Sequence, residues 1–297
     1  MRVRILLGLS MYRSSNGGNA TAAPKLQRTE GEGRVSFKLQ HDASGDVTRL
    51  DRLYQRGAAK VRLPKVYDGR AEAVLINTSG GLTGGDTMRW QVLAAPKTSV
   101  VVTTQACEKL YKSSGGNARV DTSLEVGEGA ELHWLPQETI LFDRARLERR
   151  FTVNLDNDAR FLAVEPVIFG RETMGEEVHA GLFKDRWRIY RNGHLIHADD
   201  LCFSGSIHSN AKRKAVLAGA RAFATILYSG PEDDEQLRAK LCSLLPDQDE
   251  LSWGVSVWNG KLAARFSAES GFALRAKLIP FLGGLRDPFV LPKLWKL

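Results

Sequence analysis

The sequence predicts a mainly β chain that ends in two helices, and three observations carry that reading. Glycine is frequent (28) and proline sparse (10), and the glycines fall between short runs of Val, Thr, Leu, Ile and aromatic residues, as in strands joined by tight turns. Two Asn-Gly pairs, Asn192-Gly193 and Asn259-Gly260, each separate two β-type runs. No strand–helix–strand alternation is present, which argues against a doubly wound parallel sheet.

In chain order, Val35–Leu39 alternates, and Glu72–Asn77 and the Val/Thr-rich Ser99–Thr104 are short strands. Arg119–Val126 and Ala130–Leu135, separated by Gly127-Glu128-Gly129, read as a hairpin. Phe151–Leu155 and Phe161–Phe169 are further strands. Trp187–Arg191 with His194–Phe203, and Trp253–Trp258 with Lys261–Phe266, are predicted hairpins, because Asn-Gly accepts positive φ at both centres of a type I′ turn. Asp233–Leu245 carries leucines at helical spacing and is stopped by Pro246. Ser270–Leu285 is the second helix, with Ser270 as its N-cap and Pro280 expected to kink or split it. No internal repeat is visible.

The 297 residues suffice for a full core without metal or disulfide staples. No apolar run approaches the 18 or more residues of a membrane helix. Three scattered cysteines, Cys107, Cys202 and Cys242, suggest neither a disulfide framework nor a zinc site and favour a reducing compartment. The net charge of +8 is unevenly spread: residues 1–29 hold five basic residues and no acid, whereas residues 30–206 hold 24 basic and 25 acidic ones. The only compact basic cluster is Lys212-Arg213-Lys214, which argues against a nucleic-acid face. Residues 1–25, rich in Ser, Asn, Gly and Ala, read as a disordered or variable extension, and residues 26–297 as one β-rich domain.

Four segments are chemically unusual. Asn77–Asp86 places Gly80, Gly81, Gly84 and Gly85 just before Asp86, but lacks the Gly-Lys-Ser/Thr ending of a phosphate loop. Its alternatives are a tight strand connection or a loop presenting Asp86. Thr103–Tyr111 contains Cys107, with no base nearby in sequence, so a packing role is favoured over a nucleophile or ligand. Trp134–Asp143 embeds Glu138 in apolar residues, where a carboxylate must be exposed, paired or turned to a polar cavity. Phe161–Glu176 contains Glu165, with Arg171 six residues on as a candidate ion-pair partner, and ends at Glu176. The six histidines lack zinc-ligand spacing, and no Gly-x-Ser-x-Gly, kinase or metalloprotease motif occurs. On residues alone the chain has no catalytic constellation.

The same segments, Asn77–Asp86 (NTSGGLTGGD), Thr103–Tyr111 (TTQACEKLY), Trp134–Asp143 (WLPQETILFD), Gly170–Glu176 (GRETMGE) and Asp185–Arg188 (DRWR), followed by a C-terminal LPKLW, resemble the UreD (UreH) family of urease accessory proteins from about Leu26 to the C-terminus. The resemblance implies a mainly β fold, a coiled, layered antiparallel sheet resembling a β-helix, with two α-helices in the C-terminal third. It implies a cytoplasmic, non-enzymatic scaffold. Such a scaffold would bind urease apoprotein and, with UreF and the GTPase UreG, enable nickel insertion, the ion passing through an internal channel. Neither nucleic acid nor membrane is an expected partner. No tightly bound cofactor is implied, only transient nickel(II). A transit path needs weak successive sites, and nickel accepts carboxylate, imidazole and water. Asp86, Glu138 and Glu176 are the candidate path residues, Arg171 the candidate orienting residue, and Gly80, Gly81, Gly84 and Gly85 the candidate structural or gating positions. The alternative is a metal-dependent hydrolase holding one ion with Asp86, Glu138 and Glu176.

Overall fold

The computed structural model describes residues 27–42, 45–171, 175–230, 234–245 and 252–296. The predicted N-terminal extension lies outside them, as do Pro246 and the middle of the Gly170–Glu176 motif.

Among the described residues seventeen strands form two sheets. The chain opens with β1 (Glu30–Asp42), β2 (Gly45–Gly57), β3 (Ala59–Arg62) and β4 (Ala71–Asn77). A coiled middle follows: β5 (Thr87–Ala94), β6 (Ser99–Thr104), β7 (Glu108–Leu110), β8 (Ala118–Val126), β9 (Glu131–Leu135), β10 (Thr139–Leu141), β11 (Arg146–Leu155), β12 (Arg160–Phe169) and β13 (Gly181–Arg191). The last third holds β14 (His194–Gly205), a short α1 (Ile207–Ala211), β15 (Ala222–Ser229), α2 (Asp234–Cys242), β16 (Ser252–Trp258), β17 (Lys261–Ala268) and α3 (Gly271–Arg286).

Sheet A runs β14-β13-β11-β8-β5-β1-β2, and sheet B runs β16-β17-β15-β12-β9-β6-β4-β3. Through the middle the chain passes back and forth between the sheets, with the short β7 and β10 added beside sheet B, and neighbours within a sheet are parallel. Antiparallel pairing is confined to the flanks, in β1–β2, β3–β4, β13–β14, β12–β15, β15–β17 and β16–β17. The mainly β, layered, β-helix-like coil is as expected, but the expected antiparallel sheet is not: strands of one sheet are joined through the other, so the centre is parallel and only the margins are antiparallel.

The coil has a period that the sequence hides. Stacked side chains 31 positions apart touch on successive turns: Asn77 with Glu108, Cys107 with Glu138, Asn117 with Glu148, and Trp134 with Glu165. Stacking requires alternation and turns in step, not repeated residue identities, so no repeat shows in the letters. The coil also corrects one predicted hairpin. Arg119–Val126 lies in sheet A and Ala130–Leu135 in sheet B, so Gly127-Glu128-Gly129 is a corner between layers. That corner is pinned to the coil before it, Gly127 N–H to the Ala94 carbonyl and Lys97 N–H to that of Glu128. Both Asn-Gly hairpins are present, with φ of 49° and 76° at Asn192-Gly193 and 49° and 68° at Asn259-Gly260. The two outer hairpins of sheet A each carry a bulge: Asp51 in β2 and Ile196 in β14 have no opposite residue.

Side chains alternating inward from both sheets form the main core. Fully buried Phe151 meets Trp187 at 4.9 Å between ring centres and Trp134 at 5.7 Å. A second apolar cluster lies between the far side of sheet B and the helices, joining Leu241, Leu274, Leu278, Phe281 and Trp295 to β15 and β17. Because β12 is covered on both faces, it reads as an almost unbroken apolar run. Ser270 caps α3 by accepting the Ala273 N–H at 3.0 Å. The helix runs as one element through Pro280, so the proline does not split it. Five buried apolar side chains on α3 offset the roughly 3 kcal/mol that an interior proline costs.

Candidate functional site

The unusual segments converge on one edge of the coil. The turns after β4, β6, β9 and β12 stack there in sequence order. Leu82 N–H bonds the Lys109 carbonyl, Tyr111 N–H that of Leu82, Glu108 N–H that of Glu138, Phe142 N–H that of Leu110, and Gly170 N–H that of Leu141. A column of turns results, with Asp86, Glu108, Glu138, Asp143 and Glu176 along it.

The glycines of Asn77–Asp86 make this stacking possible. A Cβ on Gly84 would lie 1.9 Å from Ser113 Oγ and 2.4 Å from the Gly115 carbonyl oxygen of the next turn. One on Gly81, at φ +144°, would lie 2.6 Å from the Lys109 carbonyl oxygen. Gly80 and Gly85 also take positive φ, at 77° and 92°. Asp86 is buried and clamps the loop from within. Its Oδ1 accepts the Thr29 N–H and its Oδ2 the Thr83 N–H, both at 2.8 Å.

Glu138 is also buried, and its partners draw three segments together. Arg275 Nη1, from α3, donates to Glu138 Oε1 at 2.8 Å and to Gln137 Oε1 at 3.0 Å, while its Nη2 donates to the Leu294 carbonyl. Trp295, under the Arg275 guanidinium, donates its Nε1 hydrogen to the Leu135 carbonyl. The C-terminal LPKLW segment thus locks onto the WLPQE turn. The Cys107 thiol donates to Glu138 Oε2 at 3.3 Å. Burial, with the neighbouring carboxylate, pushes that thiol up to about 12, so it is a held hydrogen-bond donor and a poor nucleophile.

Glu176 is the more accessible end of the column. Arg171 Nε donates to its Oε2 at 2.7 Å, and Asp143 N–H reaches its Oε1 at 3.2 Å. Burial works against the charge, but the Arg171 hydrogen bond and charge and the Asp143 and Arg171 backbone amides together outweigh it and hold Glu176 below the usual carboxylate range. Arg171 therefore pairs with Glu176 and not with Glu165. Glu108, overlooked in the sequence, receives both its hydrogen bonds from Asn77 Nδ2, at 3.1 and 3.2 Å. Burial raises it to about 7, so it changes charge near neutral pH.

Glu165 belongs to a separate network between the sheets. Arg149 donates through Nε and Nη2 to both oxygens of Asp185, at 2.9 and 2.6 Å, and through Nη1 to Glu165. Indole N–H groups complete it, Trp134 to Glu165 at 2.8 Å and Trp187 to Asp185 at 3.0 Å. The sequence signal for Arg149 lies just outside the Phe151–Leu155 strand. Continued backward, the alternation Leu147, Arg149, Phe151, Val153, Leu155 puts Arg149 on the inward face.

Asp86, Glu138 and Glu176 therefore share an edge but have separate partners. Among the described residues no three His, Cys, Asp or Glu side chains come together in a group that could hold a metal ion. A family profile for the UreD urease accessory protein matches residues 30–296. This chain belongs to the UreD family of urease accessory proteins. It is 53% identical over 278 residues to the urease accessory protein UreD of Rhizobium johnstonii, covering 94% of this chain and 99% of that one. To that of Agrobacterium fabrum it is 50% identical over 273 residues, covering 92% and 93%. To that of a Chelativorans species it is 46% identical over 279 residues, covering 94% and 98%. The stacked edge is thus the part of a UreD fold to which its recognisable segments contribute. No helix among the described residues is long and apolar enough to cross a membrane.

Proposed function

We propose that this chain is a cytoplasmic urease-maturation scaffold without turnover of its own. It binds urease apoprotein and, with UreF and the GTPase UreG, enables nickel to reach the urease active site. The observation that carries this reading is the family match across residues 30–296. Nickel(II) is the cargo, conducted internally past Asp86, Glu138 and Glu176. The stacked turns support that route, because they give carboxylates at successive levels of one edge and, among the described residues, no closed cage to trap the ion. Arg275 at Glu138 and Arg171 at Glu176 are the cations that nickel displaces in passing. The exposed Lys212–Lys214 cluster contributes to partner docking.

The test is urease activity and nickel content in cells carrying the urease structural and accessory genes, with and without this chain. Activity and nickel are expected to fall together on deletion and to return on add-back. Fully nickel-loaded urease without the chain would overturn the scaffold reading. Glu138→Gln and Glu176→Gln are expected to lower urease nickel several-fold while the complex still assembles. Normal loading in both would remove the proposed route and leave the scaffold role standing. The hydrolase alternative lacks a three-residue ligand group among the described residues.

A further inference from the structure

A different part of the molecule has cationic donors with nothing to bind. Where β4 begins, beside the C-terminal end of α3, the segments Pro64–Glu72 and Val290–Lys293 enclose a recess of about 180 Å³. Lys65, Arg70, Arg286 and Lys293 line it, with Asp68 and Glu72 as its acids. Arg286 is almost wholly buried, at 2% exposure. Its Nη2 donates to the Val290 carbonyl at 3.0 Å, and its Nη1 donates to His133 Nδ1. Accepting that bond leaves His133 a neutral imidazole, so it offers Arg286 no countercharge. The remaining donor, Arg286 Nε, is buried without a partner. Arg70 repeats the pattern: Nε and Nη2 are taken by Asp68, its guanidinium lies 3.9 Å from the Phe289 ring centre, and its buried Nη1 has no partner.

Orphaned buried guanidinium donors are costly, and two lining one small cavity call for an acceptor. Glu72 does not supply it: among the described residues it forms no ion pair with either guanidinium, and burial raises its pKa toward the neutral acid. Arg286 shows the same deficit, lowered to about 10 by burial and by repulsion from Arg70.

We propose that this recess is a binding site for a small oxyanion, held by the guanidinium groups of Arg70 and Arg286 with Lys293 at its rim. Guanidinium donors paired on one acceptor are the usual chemistry for carboxylate and phosphate. The site is independent of the carboxylate column, and its existence does not depend on the nickel route.

The test is thermal unfolding of the full chain titrated with inorganic phosphate, and separately with acetate, at ionic strength held constant with sodium chloride. Tm is expected to climb with the logarithm of anion concentration once Kd is passed, by roughly 3 °C at about tenfold excess over Kd. A rise with phosphate alone assigns a tetrahedral oxyanion; a rise with acetate as well assigns a site that also takes carboxylates. Arg286→Met is expected to abolish the rise, and Arg70→Gln to move its onset about tenfold higher in concentration. If Arg286→Met fails to fold, Arg70→Gln and Lys293→Gln carry the test. A Tm that follows ionic strength alone, or an onset unchanged in Arg70→Gln and Lys293→Gln, would overturn the proposal.

Discussion

Two groups of carboxylates sit a few strands apart and are handled in opposite ways. Between the sheets, one guanidinium and two indoles serve Glu165 and Asp185, and both oxygens of each carboxylate accept a hydrogen bond. Along the coil edge, Asp86, Glu108, Glu138 and Glu176 have separate partners: backbone amides, an asparagine, and one arginine each for the last two. The interior group is closed, and moving any member strands the others in a low-dielectric space. The edge group is modular, so one level can change protonation or partner without disturbing the next.

The comparison breaks most visibly at the arginines. Arg149→Met leaves two buried carboxylates facing each other and is expected to cost about 3–5 kcal/mol in urea unfolding. Arg171→Gln removes a half-exposed partner of Glu176 and is expected to cost under about 1 kcal/mol. Similar losses from both would erase the distinction between closed and modular groups.

A second test lies at Glu108. Its folded pKa of about 7 exceeds the usual 4.5, so the native state binds the proton more tightly than the unfolded chain. That contribution is fully present below the unfolded value and is lost as pH rises through about 7. Glu108→Gln is therefore expected to match the wild type near pH 4 and to be more stable by about 3 kcal/mol at pH 8. A stability difference that stays constant with pH would mean that Glu108 does not titrate with folding.

Asp86→Asn sharpens the contrast within the edge group. One of its two backbone donors would face an amide N–H₂, at an expected cost of about 1–3 kcal/mol by thermal unfolding. Lost urease activation in this variant must accordingly be read beside its stability, unlike in Glu176→Gln. The smallest effect is kinetic: Cys107 should alkylate much more slowly than the exposed Cys202 in the folded chain, measured by peptide mapping after iodoacetamide. Equal labelling would mean that the Cys107–Glu138 contact opens readily.

Local chemistry was the legible part of this sequence. Both Asn-Gly turns, the Ser270 cap and the helical leucines are decided within a few residues of themselves. What escaped was decided by stacking. Gly127–Gly129 looks the same as a hairpin loop or as a coil corner, because the difference lies in the Pro96 turn beneath it. Glu165 has a plausible arginine six residues away, yet its partner is Arg149, 16 positions earlier on the facing sheet. For the candidate site, the segments were recognisable as motifs, but their alignment along one edge follows from the 31-residue coil.

The bulged hairpins at the margins of sheet A bear on how such a coil can exist as a discrete molecule. Parallel coils stack on their own kind, and a flat terminal strand would template the next chain as readily as it does its own neighbour. At one end β2 and at the other β14 run against the coil direction, each with an unopposed residue, Asp51 and Ile196. Reversal and bulge together spoil the register that a second molecule would need, so these hairpins act as stops against fibre growth.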